Sequence, residues 1–136
     1  SLGRIISIEG LISNRWEKYS IHIIEPILNL IPNRGKLLYS NKLKNGEFLN
    51  LTLVYENINK VSISTVGKSE IKPTISIIGE YGNINLVFNN TFKAFKSALL
   101  AFIVSIHDKK SPLDNDILLE TIKLIELGTY LWIDQY

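Results

Sequence analysis

The chain has no cysteine, which excludes disulfides and thiolate chemistry and fits a reducing, cytoplasmic setting. It has no methionine either, not even an initiator. No apolar run approaches the roughly 20 residues of a membrane span, and no charged-then-apolar leader opens the chain. An excess of one charge is also lacking. The net charge is +2 with both signs interspersed, too weak to argue for nucleic acid or an anionic membrane as partner. Gly-x-Gly-x-x-Gly, Gly-x-x-x-x-Gly-Lys-Ser/Thr and Gly-x-Ser-x-Gly are all missing, so the chain lacks the standard dinucleotide and phosphate cradles. His22 and His107 are the only histidines, and two distant imidazoles offer no structural zinc set.

What is present suffices for a core. The 136 residues have the size of one domain, and 46% hydrophobic with 21% charged residues supports packing over disorder. Strand residues start almost at once. With no methionine before them, this favours a portion excised from a longer protein over ordinary initiator removal at Ser1.

Arg4 to Ile12 reads as a first strand, rich in β-branched residues. A helix from about Ser20 to Ile31 follows and stops at Pro32-Asn33-Arg34-Gly35. Pro26 removes an amide donor and crowds the His22 carbonyl. Either regular helix begins only near Glu25, or the helix bends and leaves that carbonyl free. A run of strands comes next: Lys36 to Lys42, then Glu47 to Tyr55 after a Lys44-Asn45-Gly46 turn, with Phe48, Leu51 or Leu53 and Tyr55 as apolar members. Lys60 to Val66 alternates, with Val61, Ile63 and Thr65 on one face and Ser62, Ser64 and Val66 on the other. Thr74 to Gly79 and Ile84 to Phe88 flank a tight turn at Tyr81-Gly82-Asn83.

Two helices are expected to close the chain. The first spans about 90–108, with a stripe including Phe92, Phe95, Leu99 and Phe102 and a helix-end cation at His107. The second runs from a cap at Asp114 or Asn115 to Leu127, with Gly128 at C′. The order predicts an α+β fold: a mainly antiparallel open sheet with helices packed on one face.

The stretch Trp16 to Ile27 concentrates the chemistry. In a helix from about Lys18, the residues Lys18, His22 and Glu25 fall at i, i+4 and i+7 and share a face, opposite Ile21, Ile24, Leu28 and Ile31. A proton donor beside an acceptor at a helix mouth suits proton-coupled chemistry on a small molecule.

Three segments together resemble the C-terminal domain of the Gfo/Idh/MocA oxidoreductases. Gly3-Arg4-Ile5-Ile6-Ser7-Ile8 is similar to that family's first strand after its dinucleotide-binding half. Tyr19-Ser20-Ile21-His22-Ile23-Ile24-Glu25 resembles its Gly-x-His-x-x-Asp element. Phe95 to Phe102, then Ser111-Pro112-Leu113 and the helix to Gly128, resembles its closing pattern. The resemblance implies that residues 1–136 are one substrate-binding and dimerisation domain, whose N-terminal dinucleotide-binding domain lies outside this chain. It implies NAD or NADP in the full-length protein and none bound to this chain alone. It further implies a small-molecule substrate of sugar or polyol type, and a homodimer through the open sheet face. By this resemblance His22 matches the family's catalytic or substrate-binding histidine, a proton donor or acceptor at the substrate oxygen. Lys18 stands where many members carry aspartate, as an acid or substrate clamp; Tyr19 and Glu25 would be substrate-binding. Ser20 replaces the usual glycine, and Glu25 the usual aspartate. The Lys18 and Ser20 departures keep a second reading open, a non-catalytic dimerisation or ligand-binding module.

Overall fold

The structure is a computed structural model that describes residues 2–87 and 115–130. The expected helix over 90–108, His107, the 111–114 linker and the aromatic tail after Tyr130 lie outside the described residues.

β1 (Ile5–Ile12) leads into a one-turn helix, α1 (Trp16–Tyr19), and then α2 (Ile21–Leu30). β2 (Leu37–Asn45), β3 (Phe48–Tyr55), β4 (Lys60–Thr65), β5 (Thr74–Gly79) and β6 (Gly82–Val87) follow, and α3 (Asn115–Thr129) comes last among the described elements. The six strands form one sheet in the order β2-β3-β4-β1-β5-β6. Neighbours are antiparallel except β1 and β4, which run parallel with Ile8 beside Val61 and Ile12 beside Thr65. The α+β expectation of a mostly antiparallel sheet with helices on one face is met. The hairpins were readable from turn residues. The insertion of β1 between β4 and β5 was not, because those pairings join segments more than about fifty residues apart, with α1, α2, β2 and β3 between them.

The turns differ in detail. Gly46 and Glu47 make a two-residue hairpin loop, with Gly46 at φ +62° in the first central position, where glycine meets no steric penalty. At the β5–β6 hairpin Gly79 pairs with Gly82, so Glu80 and Tyr81 are the loop and Asn83 already belongs to the strand.

The core lies between one sheet face and the helices. Ile8, Ile12, Leu49, Leu51, Leu53, Tyr55, Val61, Ile63, Ile75 and Ile77 supply the sheet side, and Ile23, Ile24, Ile27, Leu28 and Leu124 the helix side. In β3 the buried set is odd-numbered, so Phe48 sits on the other face from Leu51, Leu53 and Tyr55. Strict alternation puts positions an odd number apart on opposite faces. Gly10 is where α2 seats on β1: a Cβ there would lie 2.8 Å from both Ile23 Cδ1 and Ile27 Cδ1. That contact explains why Ile23 and Ile27 are fully buried beside Ile24, Leu28 and Ile31, whereas Ile21 is only half-buried.

Pro26 lies inside α2, which begins at Ile21, so the alternative of a helix starting near Glu25 does not occur. Ser20 itself has helical backbone angles and accepts at its carbonyl from the Ile23 and Ile24 amides, so α1 and α2 form one nearly continuous course.

On the opposite sheet face Asn50 donates through Nδ2 to Ser62 Oγ and Ser64 Oγ, both at 2.8 Å, and Thr52 Oγ1 donates to Asn50 Oδ1 at 2.7 Å. This polar strip lies between Tyr39 and Leu43 on the β2 side and Ile78 and Val87 on the other, all four exposed. The described helices pack on the other face.

Candidate functional site

Ser13 and Asn14 follow β1, and Asn14 adopts φ +76° in a bridge to Gly67, itself at φ +76°. The two residues exchange backbone hydrogen bonds at 2.6 and 3.2 Å. A left-handed asparagine is tolerated because its short polar side chain bonds locally; here Asn14 Nδ2 donates to Ser13 Oγ. This bridge ties the carboxyl ends of the parallel pair β1 and β4 together and aims the chain into α1.

α1 and α2 then place the four residues singled out by sequence. Lys18 is exposed and Tyr19 and His22 are half-buried, their rings 6.2 Å apart and tilted by 58°. Glu25 is buried at 5% exposure. The helix therefore brings Tyr19 and His22 together at a half-open position, with Lys18 toward solvent and Glu25 inside the protein. Asn29, also buried, donates through Nδ2 to the Glu25 carbonyl at 2.9 Å.

Trp16 anchors this segment. Its indole is 2% exposed and donates through Nε1 to the Ile125 carbonyl in α3 at 2.9 Å. The Trp16 carbonyl accepts from the Ser20 hydroxyl at 2.6 Å and from the Ser20 amide at 3.1 Å. Gly128 lies within α3, not at C′ after it, and is not left-handed. Its lack of a side chain serves packing: a Cβ would fall 2.2–2.5 Å from three atoms of the Trp16 ring. Lys42 on β2 donates through Nζ to the Gly128 carbonyl at 3.2 Å and to the Tyr130 carbonyl. Partial burial, and then the neighbouring Lys44, pull the Lys42 ammonium below its usual range.

A cleft of about 160 Å³ opens beside α1. Buried Trp16 and Leu49 form its floor, and Arg15, Glu17, Lys44 and Glu47 contribute both signs of charge at its rim. Neither Tyr19 nor His22 lines it.

The sequence reading missed a second cluster. Arg34, 9% exposed, donates through Nη1 to the Leu28 carbonyl at 3.2 Å and the Ile31 carbonyl at 3.0 Å, closing the end of α2. Its Nε and Nη2 engage both carboxylate oxygens of Glu120 on α3. Tyr55 donates its hydroxyl to Glu120 Oε2 at 2.6 Å, and the Arg34 guanidinium lies 5.6 Å from the Tyr55 ring centroid. Burial pushes the Glu120 carboxyl up, but the Arg34 guanidinium and the Tyr55 hydroxyl outweigh it, and the net displacement is downward. Burial, and then the Glu120 carboxylate, hold the Tyr55 hydroxyl above its usual range. An arginine inside a Pro-x-x-Gly helix stop gives no signal of this. The cluster welds α2, β3 and α3 together and has the character of a structural joint.

Among the described residues no group of histidine and carboxylate side chains is placed to hold a metal ion. None of the described helices is long and apolar enough to cross a membrane.

No protein-family model matches the chain, and no curated protein matches it by sequence. Solved structures do. A proposed oxidoreductase from Magnetospirillum magnetotacticum overlays 95% of this chain with a TM-score of 0.59 at 13% identity. A proposed oxidoreductase from Erwinia carotovora overlays 93% with a TM-score of 0.54 at 13% identity. An oxidoreductase from Bacillus cereus overlays 97% with a TM-score of 0.52 at 12% identity. This chain spans 56%, 55% and 57% of those three chains, respectively. At such identities the likeness carries the fold: this chain has the architecture of roughly half of each of those bacterial proteins.

Proposed function

We propose that this chain is the C-terminal, substrate-binding and dimerisation portion of an NAD(P)-dependent oxidoreductase of the Gfo/Idh/MocA type, acting on a sugar- or polyol-like small molecule. The observation that carries the reading is the overlay of 95% of this chain on only 56% of an oxidoreductase-type chain. That leaves room for a nucleotide-binding portion of comparable size. The residues here do not fit the cofactor: the chain has no glycine-rich strand-to-helix cradle, so NAD or NADP would be held elsewhere in the parent protein.

This chain's share of the work is then binding and proton movement. The half-buried His22 would exchange a proton with the substrate oxygen, and Tyr19, packed beside it, would form one wall. Exposed Lys18 would clamp a substrate oxygen or anionic group. Glu25, being buried, would act by supporting the helix from within, and any contact with substrate would need the parent's other portion to reach it. The sheet face that no described helix covers would pair with a second copy, Tyr39, Leu43, Ile78 and Val87 supplying apolar area around the Asn50–Ser62–Ser64 strip.

The test has two arms. Titration of the isolated chain with NADH and NADPH is expected to show weak binding or none, and tight binding would overturn the assignment. In the parent protein, recovered by reading the gene upstream of Ser1, His22→Ala is expected to lower kcat about 10²–10⁴-fold, followed by nicotinamide absorbance. An unchanged kcat removes His22 from the chemistry.

A second reading, a non-catalytic dimerisation or ligand-binding module, is favoured by the ammonium at Lys18 and the hydroxymethyl at Ser20. A start codon at Ser1 with no glycine-rich strand–helix unit upstream would select it.

A further inference from the structure

We propose that Trp16 and Gly128 are a positioning pair through which the last turn of α3 fixes the Tyr19–His22 face. The inference rests on the functional reading above only for the meaning of that face; the placement itself stands on packing.

Trp16 links two parts of the chain. Its ring belongs to the α3 contact, where the indole N–H satisfies the Ile125 carbonyl and the ring plane occupies the space that a side chain at position 128 would need. Its carbonyl belongs to the site helix, where it takes both the amide and the hydroxyl of Ser20, a residue with no solvent exposure. Tyr19 ends the anchored turn, Ser20 follows it, and the His22 ring lies 6.2 Å from that of Tyr19. A displacement of the indole moves the Trp16 carbonyl, disturbs both Ser20 bonds and changes the angle at which Tyr19 meets His22.

The α3 side is held just as firmly. Thr129 Oγ1 donates to the Ile125 carbonyl at 2.7 Å, and Lys42 takes the Gly128 and Tyr130 carbonyls. The terminal turn of α3 is tied to the β2 edge through Lys42 as well as to Trp16. It acts as a fixed stop against which α1 is set. A short one-turn helix has little rigidity of its own, so its position depends on this stop.

A glycine within a helix normally costs stability relative to alanine. At position 128 the sign should reverse. The three Trp16 atoms nearest the missing Cβ are Cε2, Nε1 and Cζ2, all in the outer part of the indole, beyond the reach of a leucine side chain at position 16.

The experiment uses the 136-residue chain with Gly128→Ala, Trp16→Leu and the double variant. Each is examined by urea unfolding and by the nuclear Overhauser contact between the Tyr19 and His22 rings. Gly128→Ala is expected to lower the urea midpoint and to lose the ring contact. The double variant is expected to recover the midpoint relative to Gly128→Ala and to restore part of the contact. It also serves if the single alanine variant does not fold. The proposal is overturned if Gly128→Ala is as stable as the parent chain or more so, if it keeps the ring contact while destabilised, or if the double variant is no better than the single. Loss of catalysis in a His22 variant touches none of these readouts, so failure of the oxidoreductase reading and failure of this one are separable.

Discussion

Glu120→Gln tests the joint that holds α3 to the rest of the fold. The substitution keeps shape and keeps an oxygen for the Tyr55 hydroxyl, but it removes the charge facing Arg34. Arg34 remains nine-tenths buried, with the Leu28 and Ile31 carbonyls as its charge-neutral acceptors among the described residues. Removing one member of a buried ion pair costs about 3–5 kcal/mol. The Glu120 side chain is 27% exposed, so water screens part of the loss, and about 2–3 kcal/mol is the expected cost at neutral pH. The pH dependence supplies the sharper check. The folded carboxyl of Glu120 lies below its unfolded value. Its contribution is therefore complete above the unfolded carboxylate range and disappears as pH falls through the depressed folded value. Glutamine does not titrate, so the gap between the parent chain and Glu120→Gln should narrow over that acid window. Urea unfolding followed by circular dichroism across pH measures both quantities. Equal stability at neutral pH, or a gap that persists unchanged into acid, would refute the assignment of a coupled Arg34–Glu120–Tyr55 joint.

The remaining predictions concern the sheet. Thr65 Oγ1 is fully buried with no hydrogen-bond partner among the described residues, so Thr65→Val should leave stability unchanged or raise it by up to about 1 kcal/mol; a loss of that size in thermal unfolding would mean the hydroxyl has a partner. Gly10→Ala should destabilise by about 1–3 kcal/mol by pressing on Ile23 and Ile27, and Gly10→Ala combined with Ile27→Val should cost less than the two separate losses added together; simple additivity in denaturant titrations argues against the contact. Leu43→Lys with Val87→Lys should convert the proposed dimer to a monomer in sedimentation without lowering the unfolding temperature, because both exposed side chains lie on the face that no described helix covers; an unchanged sedimentation coefficient counts against that face as the interface.

Much of the layout was legible because it is local. The β-branched run of β1 and the glycine turn after β2 declare themselves over a few residues. The α2 stop at Pro32 is equally plain, and the α+β class follows from element order alone. The phase of β3 was misjudged at Phe48 because its apolar residues occur at both parities, and only the buried partner decides which face wins. At the candidate site, the helix bearing Lys18, Tyr19, His22 and Glu25 could be read from periodicity. Their unequal burial could not, since it depends on what surrounds the helix.

The amino-acid sequence by itself determined which segments can be strands or helices and which motifs cannot exist here, because propensity, alternation and turn chemistry act within a few residues. Tertiary structure alone decided that β1 slots between β4 and β5, that Arg34 finds Glu120, and that Gly128 is a glycine for the sake of Trp16. Those outcomes join residues 50 to more than 100 positions apart. Each is selected by the shape and charge left over when the helices close on the sheet, a property no short stretch of the chain carries.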